Sequence, residues 1–253
     1  MFPFRDHNPS LRTPYVTWAL IGINIFVFAS YWSLFSNERA LAEFFFTWGL
    51  VPAISEPTTF ITSMFLHGGI MHLVGNMLFL YVFGDNMEDA MGHGPFLGFY
   101  LAGGLAAAFA QYAADPSSTV PMVGASGAIA GVMGGYLLLY PKARVDVLII
   151  LIIIFRIIPI PAWIVLSAWM GIQVVQGSIT PTEGGGVAYW AHAGGFVAGV
   201  VLTLPLWLKL GGPSFWSRNL GHPPYPETPA RLVRSGVPRV NRRSTRRSPW
   251  DRQ

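Results

Sequence analysis

The chain has 253 residues, of which 52% are hydrophobic and only 11% are charged, with a formal net charge of +4 and a mean hydropathy of +0.46. This composition excludes an ordinary soluble domain and is typical of a polytopic membrane protein. The chain contains no cysteine, which excludes disulfides, thiolate metal sites and cysteine nucleophiles.

Six runs without charged side chains are long enough to cross the hydrocarbon layer as helices, which takes about 20 residues. The runs are Tyr15–Phe35, Thr58–Phe83, Pro95–Ala114, Val120–Tyr140, Ile157–Thr180 and Val187–Leu208. They predict an all-α, six-transmembrane helix bundle. The first run is too long for a typical signal peptide and lacks a good cleavage motif, so we expect it to stay as a signal-anchor.

The distribution of positive charge predicts that both termini face the cytoplasm. If six spans are threaded from a cytoplasmic N-terminus, fifteen of the sixteen Lys and Arg residues fall on the cytoplasmic side and only Arg39 falls outside. The second cytoplasmic segment in this topology is a loop at Asp85–Asp89, which carries no positive charge.

The same topology divides the chain into three parts. They are a cytoplasmic N-terminal segment (1–13), a membrane domain (14–210) and a basic, Pro- and Arg-rich cytoplasmic tail (211–253). We expect the tail to be disordered and to associate with anionic lipid headgroups, and we expect no nucleic-acid partner.

Two further segments are apolar without being long enough to span. The outer loop Ser36–Pro57 is rich in aromatic residues, which favours a position in the membrane interface or packing on the helix ends. Val147–Phe155 is expected to be an interfacial piece on the cytoplasmic side, with the start of a long tilted helix as the alternative.

Polar side chains within apolar spans are candidates for function, because placing them in lipid is costly. The second run contains His67, His72 and Asn76, the fourth contains Ser126, and the sixth contains His192. These three runs cross the membrane in the same direction, and the polar residues lie early in each. We therefore expect them to share one depth in the outer part of the bilayer.

Ser126 and His192 together could form a nucleophile and its general base, since a neutral imidazole can activate an adjacent hydroxyl. Ser126 lies near the start of its helix, where free backbone N–H groups favour negative charge. His72 and Asn76 are four residues apart and share a helix face. The Ser126 N–H, the Asn76 amide and the His72 ring could stabilise an oxyanion.

Glycines leave space around these residues. Gly124 and Gly127 flank Ser126, and further glycines recur at a spacing of four residues, which lets membrane helices approach closely. The spaced pairs are Gly127 with Gly131, Gly131 with Gly135, and Gly195 with Gly199. Close approach of the fourth and sixth helices is what a hydrogen bond between Ser126 and His192 requires.

Each candidate also has a structural interpretation. A serine in a membrane helix often bonds the carbonyl four residues earlier, and a histidine can bond a neighbouring helix. The three histidines could bind a metal. No Asp, Glu or Cys lies near them and no HExxH spacing is present, so we expect no metal and no cofactor. A transporter or channel would carry intramembrane carboxylates or an internal repeat, and the six runs hold no carboxylates.

These motifs resemble the bacterial rhomboids, a family of intramembrane serine proteases. The matching pieces in chain order are Phe65-Leu66-His67-Gly68-Gly69 with His72 and Asn76, Gly84 and Glu88, Phe99-Tyr100-Leu101 with Gly103, Gly124-Ala125-Ser126-Gly127, and Ala191-His192 with Gly195 and Gly199. The resemblance extends from about residue 10 to about residue 210.

The resemblance implies a catalytic dyad of Ser126 as nucleophile and His192 as general base. It implies that His72, Asn76 and the Ser126 backbone stabilise the oxyanion, with supporting roles for His67, Gly124, Gly127, Gly195 and Gly199. The expected substrates are single-span membrane proteins, cut within or beside their transmembrane segment, and the expected location is the cell inner (cytoplasmic) membrane. The alternative is a catalytically silent rhomboid-like protein that binds membrane segments for quality control.

The chain departs from the family pattern at two places. The Trp-Arg pair of some members is absent from the first loop, where Thr58-Thr59 stand. The residue four after the nucleophile, an aromatic that packs on the catalytic histidine in some members, is Ala130. Another residue must therefore orient His192, and Tyr189 and Trp190 are the candidates.

Overall fold

The structure is a computed structural model that describes residues 2–6, 8, 10–151, 154–180 and 187–223. Its helices are α1 (Tyr15–Ser30), α2 (Glu38–Trp48), α3 (Thr59–Thr62), α4 (Ile70–Met91), α5 (His93–Ala114), α6 (Ser126–Leu139), α7 (Ala162–Ile179), α8 (Tyr189–Lys209) and α9 (Pro213–Asn219). Its strands are β1 (Phe2–Asp6), β2 (Arg144–Leu151) and β3 (Ile154–Pro161), and two short 3₁₀ helices cover Trp32–Ser36 and Ser63–Phe65.

The architecture is mostly helical and is that of a multi-pass membrane protein. Among the described residues, α5, α7 and α8 are long and apolar enough to cross a membrane. The segment Thr59–Phe65 and α4 together form a fourth such element if this pair, bent by 93°, is one span. Helices α1 and α6 are apolar but shorter, at 16 and 14 residues. Each of the six apolar runs thus overlaps one of these helices.

The helix boundaries differ from the runs because local backbone bonding, not hydropathy, sets where each helix ends. Helix α6 begins at Ser126 rather than near Val120, because Met122 and Leu50 exchange backbone hydrogen bonds of 2.8 and 3.0 Å in an isolated antiparallel bridge. The bridge pairs Met122, four residues before Ser126, with Leu50 in extended conformation. It also ties the segment after α2 to the segment that precedes the serine.

The prediction of a loop at Asp85–Asp89 is wrong, since α4 continues to Met91 and ends at Gly92, whose φ is +82°. The helix accommodates the acidic Glu88 because backbone N–H groups bond its carboxylate. Its carboxylate accepts hydrogen bonds from the Val16 and Thr17 N–H groups at 2.9 and 2.8 Å, so it satisfies the free donors at the start of α1.

A three-stranded antiparallel sheet, in the order β1-β2-β3, corrects the prediction that the protein is all-α. Most of the predicted interfacial piece Val147–Phe155 lies in the hairpin β2–β3, with 152–153 outside the described residues. The segment is rich in Val and Ile, which favour extended backbone. Pro159 and Pro161 lie on the edge strand β3, where missing N–H donors are tolerated, and they delay helix α7 until Ala162.

The bundle has two distinct ends. The sheet end carries the three strands, the start of α1 and the end of α8. The opposite end, called the site end below, carries α2 and the first turns of α4, α6 and α8. Helices α6 and α8 pack most closely at glycines: a Cβ at Gly195 would overlap the Gly127 carbonyl, and one at Gly199 would overlap the Gly131 carbonyl.

The first residues of the predicted disordered tail are packed at the sheet end. Phe215 of α9 is buried against the core, and the Trp216 indole donates to the Leu138 carbonyl at 2.9 Å. The Lys142 N–H donates to the Gly221 carbonyl, also at 2.9 Å. These contacts correct the predicted start of the disordered tail, because aromatic burial holds this segment against α6. Residues 224–253 of the predicted tail lie outside the described residues.

Candidate active site

The first turns of three helices meet at the site end of the bundle. His72 lies in the first turn of α4, Ser126 is the first residue of α6, and His192 lies in the first turn of α8. The first N–H groups of a helix have no partner within the helix, and the helix dipole is positive there. The site is therefore lined by backbone and side-chain donors, which suits a developing negative charge.

Ser126 and His192 are joined by a direct hydrogen bond. The Ser126 Oγ lies 2.7 Å from His192 Nε2. The histidine is 8% exposed, whereas the serine is half-buried and reaches the cavity described below. The glycine contacts between α6 and α8 make this distance possible, since any side chain at Gly195 would separate the two helices. The geometry is that of a hydroxyl with an adjacent proton acceptor.

The other nitrogen of His192 is bonded to a residue that the sequence analysis missed. Gln173 of α7 places its Oε1 2.7 Å from His192 Nδ1. A carbonyl oxygen only accepts hydrogen bonds, so Nδ1 carries the ring proton and Nε2 presents its lone pair to Ser126. Trp169, one turn earlier on α7, packs on the imidazole with ring centroids 5.6 Å apart and planes inclined by 33°.

These contacts correct the expectation that Tyr189 or Trp190 orients His192. A Cβ at Gly177 of α7 would meet both residues, so they pack beside that helix, whereas the imidazole contacts Gln173 and Trp169. One signal in the sequence could have indicated Gln173, namely a polar amide within an uncharged run. Gln176 has the same property, so this signal by itself does not choose between the two glutamines.

His72 faces the serine from α4 with a defined tautomer. The Gly68 N–H donates to His72 Nδ1 at 3.3 Å, so the proton of the neutral ring lies on Nε2. Gly124 has a φ of +135°, and a Cβ there would lie 2.9 Å from His72 Nε2 and 3.4 Å from Ser126 Oγ. Only glycine allows this backbone conformation and this close contact. Gly124 therefore lets the Nε2–H of His72 lie near the Ser126 hydroxyl.

Asn76 contributes a buried donor that is free in this structure. The side chain is 8% exposed, it lines the same cavity as Ser126, and its Nδ2 has no hydrogen-bond partner among the described residues. A buried amide without a partner is uncommon, because it loses its bonds to water without replacement. An oxyanion formed at Ser126 is the kind of acceptor that would satisfy it.

His67 is held through its backbone and not through its ring. Tyr31, at the end of α1, donates its hydroxyl to the His67 carbonyl at 3.0 Å and accepts from the His67 N–H at 2.7 Å. Neither ring nitrogen of this fully buried histidine has a hydrogen-bond partner within the described part of the chain. The ring packs edge-on against His72, with centroids 5.2 Å apart, so His67 supports the position of His72.

A cavity of about 640 Å³ joins these groups. Its polar lining includes Ser126, His192, His72, Asn76 and Gln173, and its apolar lining comes from α4, α5, α6, α7 and the segment Pro121–Val123. The volume is of the size that accommodates a short stretch of peptide or a drug-sized ligand. Within this cavity, the Ser126 hydroxyl is placed for nucleophilic attack. Hydrogen-bond donors beside it are placed to stabilise the oxyanion that such an attack would form.

The chain is similar to known proteins of one family. A family model described as the Rhomboid domain matches residues 55–209. The chain is 30% identical over 204 residues to Rhomboid protein 1, mitochondrial, of Saccharomyces cerevisiae, covering 78% of this chain and 54% of that protein. It is 31% identical over 176 residues to Rhomboid-related protein 2 of Mus musculus, covering 64% of this chain and 53% of that protein.

A bacterial relative is also found. The chain is 36% identical over 102 residues to Rhomboid protease GluP of Bacillus subtilis, covering 40% of this chain and 20% of that protein. The chain spans about half the length of the first two relatives. These relatives come from a fungus, a mammal and a bacterium, so the similarity is to the family as a whole and not to its bacterial members alone.

Proposed function

The chain belongs to the rhomboid family, and from that premise we propose that it is an intramembrane serine endopeptidase with a Ser126–His192 dyad. The observation that carries the proposal is the 2.7 Å hydrogen bond from Ser126 Oγ to an imidazole nitrogen that is free to accept. Rhomboid family membership makes peptide-bond hydrolysis the expected use of such a pair.

The reaction follows from the positions of the protons. Ser126 Oγ attacks the scissile carbonyl carbon while its proton passes to His192 Nε2. When the C–N bond breaks, the imidazolium gives that proton to the leaving nitrogen, and an acyl-serine ester remains. A water molecule then attacks the ester with His192 again as base, which releases the carboxyl product and restores the serine.

Three donors are proposed to stabilise the negative oxygen of each tetrahedral intermediate. They are the Ser126 N–H at the start of α6, the Nε2–H of His72 and the free Nδ2 of Asn76. Donors that are already in position before the reaction stabilise the transition state without reorganisation. In other serine proteases, removing one such donor lowers kcat by about 10²–10³-fold.

The proposed membrane topology has six spans, formed by α1, α4, α5, α6, α7 and α8, with both termini in the cytoplasm. The described basic residues support it, because Arg39 lies in α2 at the site end, whereas the sheet end carries Arg12, Lys142, Arg144, Arg156, Lys209 and Arg218. The sheet end would then face the cytoplasm and the cavity would open in the outer half of the bilayer.

The proposed substrates are single-span membrane proteins, cleaved within or beside their transmembrane segment, and the proposed location is the inner (cytoplasmic) membrane of a bacterial cell. The cavity is lined mostly by apolar residues and contains the Ser126 hydroxyl. It would therefore suit a short extended stretch of peptide that has unwound from the substrate's transmembrane helix. The competing proposal is a silent rhomboid-like protein that only binds membrane segments, and it predicts no covalent chemistry at Ser126.

A fluorophosphonate probe tests the nucleophile directly. We expect labelling of the wild-type protein in detergent or liposomes, complete loss of labelling in Ser126→Ala, and strong reduction in His192→Ala, since the hydroxyl then has no base. Ser178→Ala is the matched control, because that exposed serine on α7 bonds the Val174 carbonyl four residues earlier. Labelling that persists in Ser126→Ala would falsify the assignment of the nucleophile.

A further inference from the structure

Helix α7 touches the rest of the bundle along one narrow stripe. Its buried residues are Ala162, Leu166 and Gln173, and the half-buried Trp169 lies on the same face at spacings of four, three and four residues. The large apolar residues on its other faces are exposed. Gln173 is the polar member of this stripe, and a buried amide in a membrane helix is costly unless it is fully bonded.

The Gln173 amide is fixed in one orientation by its own helix. Its Nε2 donates to the Trp169 carbonyl at 3.4 Å, which turns Oε1 toward α8. His192 Nδ1 then donates to that oxygen at 2.7 Å. The two bonds satisfy both ends of the amide and leave the imidazole a single tautomer, the one with its free lone pair on the side of Ser126.

Trp169 restricts the same imidazole from its face. Its ring lies 5.6 Å from that of His192 and 6.3 Å from that of Phe196, so it fills the space between the two side chains of α8. An alanine stands four residues after the serine, and this small buried side chain provides no ring for His192 to pack on. In this chain the packing comes from α7 instead.

We infer that Gln173 is the positioning residue for the base of the proposed protease, holding His192 in the tautomer and orientation that accept the Ser126 proton, with Trp169 as its packing partner. The inference rests on the proposed function. In serine proteases with a triad this position is taken by a carboxylate. The amide oxygen of Gln173 accepts from Nδ1 as a carboxylate would, because its Nε2 is turned away to the Trp169 carbonyl, and it avoids an ionised group in the apolar interior.

The first test replaces the acceptor and measures catalysis. Gln173→Leu is expected to lower kcat for a transmembrane model substrate about 10- to 100-fold with KM nearly unchanged. This loss is smaller than the ~10⁴-fold cost of a wrong histidine tautomer in a charged triad, because the amide supplies orientation without charge. Gln176→Leu is the matched control, since it removes a half-buried glutamine three residues away on α7 and is expected to leave kcat unchanged.

The second test uses a readout that a purely structural role does not move. Gln173→Glu keeps an acceptor oxygen and places a carboxylate beside Nδ1, which stabilises the protonated imidazole. The acid limb of the rate–pH profile is therefore expected to move to higher pH by about one to three units. Apart from His192 itself, the titratable residues that line the cavity are His72 and Tyr189, so no carboxylate competes there with the one introduced.

The outcomes separate this inference from the proposed function. Wild-type kcat in Gln173→Leu, or an unmoved acid limb in Gln173→Glu, with labelling still lost in Ser126→Ala, overturns the role of Gln173 and leaves the dyad standing. Absence of labelling in the wild-type protein overturns both proposals. If Gln173→Leu does not insert stably, Gln173→Glu carries the test, because it preserves the size and the hydrogen bond of the side chain.

Discussion

At the scale of single residues, the site is a small set of polar groups in apolar surroundings, and each has a defined hydrogen-bonding state. Ser126 donates to His192, His192 donates to Gln173, and His72 accepts from the Gly68 N–H. Asn76 is the exception, since its Nδ2 is buried without a partner in the described chain. An acceptor that forms in the cavity would offset the free-energy cost of burying this amide.

The absence of a described partner for Asn76 Nδ2 leads to a prediction for the variant Asn76→Ala. We expect kcat to fall about 10- to 1,000-fold, because one of the proposed oxyanion donors is lost, with KM little changed. We expect the free energy of unfolding to be unchanged or slightly higher, since the substitution breaks no Nδ2 hydrogen bond found in the described structure. Steady-state cleavage of a model substrate and thermal unfolding of the same preparation measure the two quantities. An unchanged kcat would show that Asn76 has only a structural role.

At the scale of helices, the distance between Ser126 and His192 is set by glycines between α6 and α8. The two backbones are so close that a Cβ at Gly195 or Gly199 would overlap a carbonyl oxygen of α6. Membrane helices associate by such close packing, because lipid provides no hydrophobic force to push them together. The hydrogen bond between Ser126 and His192 thus depends on small residues one and two turns away along α8.

Gly199→Ala tests this dependence without touching the site. The added methyl group must separate α8 from the Gly131 carbonyl, which is expected to lower the free energy of unfolding by about 1–3 kcal/mol. Cleavage is also expected to fall, because the same shift lengthens the bond between Ser126 and His192. Gly171→Ala on α7 is the matched control, since a Cβ there meets no atom within 4 Å. Equal stability of the two variants, measured by thermal unfolding, would contradict the packing argument.

The strands show where a local sequence pattern is ambiguous at this scale. Val147–Phe155 is a short apolar run, and such runs are compatible with a helix, an interfacial segment or a buried strand. The choice depends on a pairing partner, and here β2 pairs with β1 at the distant N-terminus as well as with β3. No local property of the run contains that information.

At the scale of the whole molecule, the sheet end is closed by segments far apart in the chain. Helix α9 inserts Phe215 beside Tyr140, and the indole of Trp216 satisfies the carbonyl of Leu138 near the end of α6. The helix that begins with Ser126 at the site end is therefore fixed at its other end by the residues that follow α8.

Two truncations test the importance of this closure. A chain ending after Pro223 keeps α9 and is expected to retain wild-type stability and cleavage. A chain ending after Gly211 is expected to lose about 2–4 kcal/mol of stability, since burying one Phe side chain contributes ~1.5–3 kcal/mol and a hydrogen bond ~1 kcal/mol. Thermal unfolding in detergent compares the two. If both truncations behave as the full chain does, α9 contributes nothing to the fold.

The sequence by itself determined the positions of the apolar helices and the identity of Ser126, His192, His72 and Asn76 as candidates. Both conclusions depend on local properties, because a run of apolar residues and a polar group within it are visible without knowing their neighbours. Only the tertiary structure decided that the hairpin is a strand pair, that α9 packs on α6, and that Gln173 and Trp169 hold His192. These features depend on which face of a helix or strand meets which partner, and packing among distant segments determines that choice.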